Sequence, residues 1–578
     1  MKRLTKTIFL LLAILSVSTA VAADRYSYNN PVIKRDFPDP TIIRHSDGYY
    51  YAYCTGNLVP IYRSKNLVTW TSVGTAFTTS TRPQFVEGAG IWAPDINKIG
   101  DKYVLYYSMS TWGGEWTCGI GVAVSDTPYS TFKDATKLFI SSEIDVQNSI
   151  DPFYIEDEDG KKYLFWGSFH GIYGIELSDD GLSVKEGAEK FQIAGTLIEG
   201  TYIHKHGDYY YLIGSAGSCC DGANSTYHLV VARSKSLKGP YTSKSGGKAM
   251  SNSFDTILSK DATFVYGPGH CSEIVSDDAG NDWICYHGYQ ASDVDKGRQM
   301  YLDQILWDSE GWPYITGNTP TQMWDRPRID GSSAEYTYSA VEYIDFTGES
   351  VNYQYFFDTG YVPDKATKLE FDCYSYKENA SEEPFVDSKW RAICSGRNTN
   401  GDGISVYVNP AGDKFGYFVG GYVNDGIAPH EFEKVYNISA RLSDFVVDGN
   451  TYYTNRTNFV KTTNRLVLFS GQQDFPYFGR IYGFKVYTAA SKLLHNYVPC
   501  LRNEDEMPMF YDTVDNVYIR PHNDVGFGVG PIVDAIKEVN LEAPANTNDD
   551  LYDLQGRRVG DVTARGIYIR GGKKVVLR

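Results

Sequence analysis

Five segments of this chain follow one plan, and that repeat restricts the fold more than any other feature of the sequence. They open at Asp39, Asp95, Asp151, Glu199 and His270. Each runs from a polar residue into an apolar stretch, through a Gly- or Asp-containing turn, and into an aromatic stretch. Asp39-Pro40-Thr41-Ile42-Ile43 leads to Gly48-Tyr49-Tyr50-Tyr51, and Asp151-Pro152-Phe153-Tyr154-Ile155 leads to Gly160-Lys161-Lys162-Tyr163-Leu164-Phe165. Glu199-Gly200-Thr201-Tyr202-Ile203 leads likewise to Gly207-Asp208-Tyr209-Tyr210-Tyr211. Such turns suit tight hairpins. A unit of about fifty residues with several short strands is the size of a propeller blade. No helical period of useful length interrupts the region. The expected fold class is all-β, beginning with a five-bladed β-propeller.

That topology carries a chemical consequence. The first strand of each blade lines the central channel, so the residue opening it points at the axis near one mouth. Asp39, Asp95, Asp151, Glu199 and His270 are therefore expected to converge. Carboxylates crowded into a concave site repel one another and lose water, which drives some of them to keep a proton. A protonated acid beside an ionised one is what glycosidic bond cleavage needs. The sequence has no Ser-His-Asp signature, no G-x-x-x-x-G-K-[ST] and no H-E-x-x-H, which removes the main competing chemistries. The formal net charge of −17 argues against a nucleic-acid partner, which requires a basic face. Aromatic residues make up 15% of the chain, with 47 tyrosines. They fit pleated, half-buried strands and also stack on sugar rings.

The residues from about Asn30 to Trp324 also resemble glycoside hydrolase family 43. The resemblance rests on Asp36-Phe37-Pro38-Asp39-Pro40, Trp92-Ala93-Pro94-Asp95 and Ile150-Asp151-Pro152. Within the family the chain is most similar to the arabinanases, through Gly167-Ser168-Phe169, Ser218-Cys219-Cys220-Asp221-Gly222, Asn224-Ser225-Thr226-Tyr227 and Gly267-Pro268-Gly269-His270. The resemblance implies Asp39 as general base, Glu199 as general acid, and Asp151 as the third acid that orients Glu199 and raises its pKa. It implies inversion by single displacement. It also implies a structural calcium ion, Ca2+, facing His270 through water. Asp95 and Trp92, with Ser168 and Phe169, are expected to contact substrate. Trp112 and Trp116 are further candidates for sugar platforms. His170 departs from the arabinanase pattern, which carries Trp there, and could shift the enzyme from endo towards exo action.

The resulting expectation is an endo-acting arabinan hydrolase whose partner is a plant cell-wall polysaccharide, arabinan or arabinoxylan. An exo-acting α-L-arabinofuranosidase or β-xylosidase is the first alternative. A propeller that binds glycans without cutting them is the second.

Composition shifts divide the chain further. Residues 1–23 read as a signal peptide, with Lys2, Arg3 and Lys6 before the short apolar run Ile8 to Val17. No stretch is long enough for a comfortable membrane span. Export is expected, either to the medium or to the surface or periplasm of a Gram-negative bacterium. The propeller covers 24–330. Short alternating strands over 336–530 suggest a β-sandwich (jelly roll), and that region resembles concanavalin-A-like, laminin-G-type domains. Residues 531–550 read as a linker. Residues 551–578 read as a short β tail resembling the C-terminal sorting tails of exported Bacteroidetes proteins. The nine cysteines are scattered without a metal-binding spacing and are expected mostly as small buried residues.

Overall fold

The computed structural model describes residues 26–329 and 336–533, apart from 348–354, 378–389, 399, 401, 420–421, 455–458, 472–474 and 524–525, together with short strands within 551–577. Residues 1–23, expected as a signal peptide, and nearly all of 531–550, expected as a linker, lie outside the described residues. The chain divides into two compact units, one of residues 1–335 with 360–362, the other of 336–359 with 363–578.

The first unit is a five-bladed propeller. Five antiparallel sheets follow one another along the chain, each with its strands in sequence order from the inside out. Their innermost strands are Thr41–Arg44 in blade 1, Gly90–Ile99 in blade 2, Phe153–Glu156 in blade 3, Ile198–His206 in blade 4 and Val265–Cys271 in blade 5. The sheets of blades 1 to 4 have four strands each, and that of blade 5 has an additional short strand, Val275–Ser276.

The aromatic half of each repeat becomes the second strand of its blade. In Tyr50–Tyr53 every residue is buried, and in Lys102–Ser110 and Tyr209–Ala216 all but the first are. A strand covered on both faces reads as a continuous apolar run rather than an alternating one, which is why tyrosine is so abundant here. Buried tyrosines need a partner for the hydroxyl. Tyr106 donates to the carbonyl of Gly181 at 2.7 Å, and Tyr211 and Tyr53 donate to the carbonyls of Gly311 and Pro128.

Apolar clusters fill the spaces between blades. Tyr51, Ile91, Leu105 and Tyr107 pack blades 1 and 2, and Tyr106, Leu164 and Trp166 pack blades 2 and 3. Phe165, Leu212, Ile284 and Tyr301 belong to a cluster reaching from blade 3 to blade 5. Each such side chain stabilises the assembly by roughly 1.5–3 kcal/mol through burial. The ring is closed by the pairing of Ser27–Asn29 with Met323–Asp325. Asn30 strengthens that closure, donating to the carbonyls of Leu302 (2.8 Å) and Thr321 (2.9 Å).

The second unit is a β-sandwich. Its larger sheet runs through Lys368–Ser375, Gly479–Tyr487 and Leu493–Arg502, and its smaller one through Arg391–Ser395, Ile404–Val408 and Lys414–Val419. Lys368–Ser375 alternates half-buried and buried residues along its whole length, the pattern of a strand with one face on a core. Rings meet between the sheets, with Phe415 edge-on to Tyr436 and Phe357 edge-on to Phe510. The chain ends in a small antiparallel sheet of Leu551–Tyr552, Gly566–Arg570 and Lys573–Leu577.

Seven cysteines are buried thiols, while Cys219 is half-buried and Cys220 exposed. Among the described residues, no helix is long and apolar enough to cross a membrane.

Candidate active site

The opening residues of the blades adopt backbone conformations that L side chains rarely take. Asp39, Asp151 and His270 have φ of 54°, 58° and 46°. Such residues cost on the order of 1–3 kcal/mol each and persist where the surrounding structure imposes them, typically at functional sites. β-Bulges between Trp92 and Asp95, Glu199 and Tyr202, and Gly269 and Cys271 re-aim the innermost strands at the same level.

These irregularities gather Asp39, Asp151 and Glu199. The charges of Glu199 and Asp39 both act on Asp151, and the Asp39 charge also acts on Glu199. Gly200 joins the acids directly, because its N–H donates to Asp151 Oδ2 at 3.1 Å. Its own φ is 57°, and a Cβ there would stand 3.0 Å from the His270 ring, so the position suits glycine.

The three carboxyls experience different surroundings. Burial pushes Asp39 upward, but the Arg298 guanidinium, followed by His270, outweighs burial and holds Asp39 well below the usual carboxylate range. Arg298 Nη1, His270 Nδ1 and His287 Nδ1 lie 3.2, 3.3 and 3.2 Å from Asp39 Oδ1. Thr55 donates to Asp39 Oδ2 at 2.5 Å. His287 is itself lowered to about 4 by burial, and its Nδ1 accepts the backbone N–H of Asp39 at 3.0 Å.

Glu199 is raised, burial being the main cause. Two donors limit that rise, Ser168 Oγ to Oε2 at 2.6 Å and Tyr227 Oη to Oε1 at 2.8 Å. Tyr227 can reach because Gly269 has no side chain: a Cβ there would fall 2.2 Å from the tyrosine ring. Asp151 is pushed well above the ordinary range by burial, then by the neighbouring Glu199 and Asp39 charges. The family resemblance assigns the lift to Glu199 alone. The geometry spreads it over both members of the Asp151–Glu199 pair, beside an Asp39 whose pKa is lowered.

Two expectations require correction. Asp95 does not share the phase of Asp39, Asp151 and His270, and in blade 4 the left-handed residue is Gly200, one after Glu199. In blade 2 the left-handed residue is Ala93, with φ 40°, followed by Pro94 just as Pro40 and Pro152 follow Asp39 and Asp151. Asp95 therefore lies two residues further down the strand. There it is buried, accepts from Tyr154 N (2.8 Å) and Asn97 Nδ2 (2.7 Å), and bonds to the half-buried Glu273. These contacts link blade 2 to Tyr154 of blade 3 and to Glu273. Ser168 is the second correction: its hydroxyl is committed to Glu199 and accepts from Asn148 Nδ2 at 2.9 Å, so it positions the acid.

The other expected contacts are placed as follows. Trp92 is half-buried, and its ring lies 5.7 Å from that of Trp112, which is 80% exposed. Trp116 is also exposed. Phe169 is half-buried with φ 54°, and its N–H donates to Ile198 O at 3.1 Å, next to Glu199. His170 Nε2 stands 3.6 Å from Glu115 Oε2, and Gln147 donates to the same oxygen.

His270 faces Asp39 with Nδ1 and packs against Gly200. Among the described residues it belongs to no group of three ligating side chains, whereas calcium takes six to eight oxygens. These residues do not fit a directly held calcium, and no step proposed below runs through one.

Sequence reasoning missed Arg298, His287 and Tyr227 as site residues. Tyr227 sits within the Asn224-Ser225-Thr226-Tyr227 motif. His287 follows Tyr286 in the second strand of blade 5, opposite Gly269, and Arg298 precedes the third strand, beyond the repeated segment.

The profile of glycosyl hydrolases family 43 matches residues 28–313. An extracellular exo-α-(1→5)-L-arabinofuranosidase of Cellvibrio japonicus is 34% identical over 307 residues, covering 48% of this chain and 86% of that protein. An extracellular endo-α-(1→5)-L-arabinanase of Bacillus subtilis is 35% identical over 291 residues, again covering 48% and 86%. A solved structure of Cellvibrio cellulosa α-L-arabinanase complexed with arabinohexaose is 33% identical, covers 48% of this chain and 95% of that one, and has a TM-score of 0.45. By its repeat, its acids and these relatives, the chain belongs to glycosyl hydrolases family 43.

Proposed function

We propose that this protein is an exported endo-arabinanase, cleaving α-1,5-linked L-arabinofuranosyl chains of plant arabinan with inversion. The observation that carries this reading is the electrostatic division between Asp39, lowered by Arg298 at 3.2 Å, and the Asp151–Glu199 pair, both raised by burial. Asp39 takes a proton from a water molecule as the water oxygen bonds to the anomeric carbon. Glu199 gives its proton to the departing glycosidic oxygen as the old carbon–oxygen bond breaks. Asp151, bonded through the Gly200 N–H to the backbone beside Glu199, keeps the acid oriented. A single displacement of this kind leaves about 6.5–9.5 Å between base and acid to admit the water.

Arabinan as substrate is supported by the arabinan-acting relatives, and export by their extracellular descriptions together with the basic, then apolar, N-terminus. One observation favours the exo alternative. The polar His170–Glu115–Gln147 cluster adjoins Asn148, whose backbone N–H donates to Glu115 O and whose side chain holds Ser168 against Glu199. The resemblance carries Trp where His170 stands, so a stacking platform for a continuing chain is missing beside the acid.

Purified protein assayed on linear arabinan, arabinoxylan and aryl glycosides separates these readings. Short oligomers from linear arabinan are expected. Monosaccharide alone would replace endo with exo action, and binding without new reducing ends would remove the hydrolase reading.

A further inference from the structure

The innermost strand of blade 4 has chemistry at both ends. Glu199 stands near its start, while His204 and His206 close it. At about 3.3 Å per residue, roughly 17 Å of strand separates Glu199 from His204, so the histidines lie well outside the acid cluster. Alternate strand residues face the same side, and the two imidazoles accordingly stand with ring centroids 6.3 Å apart and planes 28° from parallel. Blade 5 supplies the third group. Asp282 opens the strand Asp282–Gln290, and one ligand atom from each of His204, His206 and Asp282 lies within 4.8 Å of the others.

The surroundings fix these groups without consuming them. Ser276 Oγ donates to Asp282 Oδ1 at 2.7 Å, and Trp307 Nε1 donates to Oδ2 at 2.8 Å. Trp307 also lies flat on His206, with centroids 3.6 Å apart and planes at 11°. Among the described residues, no side-chain hydrogen bond engages either imidazole. His204 and Asp282 are half-buried, so an ion can reach them from solvent.

We propose that His204, His206 and Asp282 form a binding site for a divalent transition-metal ion, which clasps blade 4 to blade 5. Two imidazoles and a carboxylate suit zinc, nickel, cobalt or copper, whereas calcium and magnesium prefer oxygen ligands alone. Three protein ligands leave a fourth position for water. Ser276 and Trp307 act as the outer donors that orient a ligating carboxylate. The ion joins groups far apart in the chain, so its binding stabilises the folded propeller in proportion to its concentration.

The test uses the full chain, stripped with chelator, dialysed, and titrated with zinc chloride in a calorimeter and in thermal melts. One equivalent is expected to bind with Kd below about 10 μM and to raise the melting temperature by several degrees. The double variant His204→Gln/His206→Gln is expected to weaken this affinity at least tenfold and to lose the thermal shift. Its metal-free hydrolytic activity shows that it is folded, since neither residue belongs to the acid cluster. His495, Asp512 and Asp515 also bring ligand atoms within 4.8 Å of one another, so His495→Gln serves as the parallel control. Unchanged zinc affinity in the double variant, loss only in His495→Gln, or no binding by the parent chain would overturn the assignment.

Discussion

Replacing Arg298 by Gln removes the principal charge that keeps Asp39 ionised while preserving much of the side chain's size. With 3.2 Å between Arg298 Nη1 and Asp39 Oδ1, Coulomb's law at an effective dielectric of 20 gives about 5 kcal/mol. The Arg298 side chain is 18% exposed, and water entering the vacated space recovers part of that energy. A net rise of about two pKa units in Asp39 remains, inside the usual range for an Asp–Arg contact. Asp39 acts as a base only when ionised, so the acidic limb of kcat/KM should move up in pH by the same amount. One unit below the new limb the variant should run about tenfold slower than at its plateau. Stability should follow the same sign. A depressed carboxyl contributes stability that is present above its unfolded pKa and lost as pH falls through its folded value. The variant gives up that contribution, so its acid unfolding begins at higher pH. The assay is a pH profile of kcat/KM on linear arabinan, with circular dichroism to follow folding. An acidic limb that stays in place while the plateau rate is retained would refute Arg298 as the group that sets the base.

Three further substitutions probe neighbouring groups. Glu199→Gln should lose at least about a thousandfold on arabinan but far less on an aryl glycoside whose leaving group needs no proton, while substrate binding measured by calorimetry persists; equal losses on both substrates would remove Glu199 as the acid. Tyr227→Phe deletes a donor that favours ionised Glu199, so the basic limb should rise by about half a unit to one unit; a downward shift would contradict the 2.8 Å contact as a stabiliser of the anion. Asp95→Asn should fold and keep kcat/KM within about tenfold, because Asp95 bonds to Glu273, Tyr154 and Asn97 inside the propeller; a loss of several hundredfold confined to KM would return it to the substrate.

The reach of the sequence is clearest at the blade openings. Asp39-Pro40 and Asp151-Pro152 repeat a dipeptide whose first residue takes a left-handed conformation, and both carboxyls stand where the repeat places them. Blade 2 keeps that conformation but puts Ala93 there, so the more conspicuous Asp95 attracted an assignment that belongs two residues earlier. Arg298 and His287 could not be read from the repeat, because they reach Asp39 from blade 5 through contacts nearly the whole propeller apart in sequence. Ser168 illustrates a subtler limit. Its motif marked it as part of the site, but only the 2.6 Å bond to Glu199 distinguishes support of the acid from contact with sugar. The second unit was legible as a sandwich from strand alternation such as that of Lys368–Ser375, since one-sided burial leaves a period of two whatever the domain binds.

Proton NMR of the first product formed from an α-linked arabinofuranosyl substrate tests the division of roles among Asp39, Asp151 and Glu199 most directly. Water activated by one carboxylate on the face opposite a protonated acid delivers the β-anomer first, with the α-anomer appearing only by later mutarotation. Initial accumulation of the α-anomer would require a covalent intermediate on one of these acids and would contradict the account.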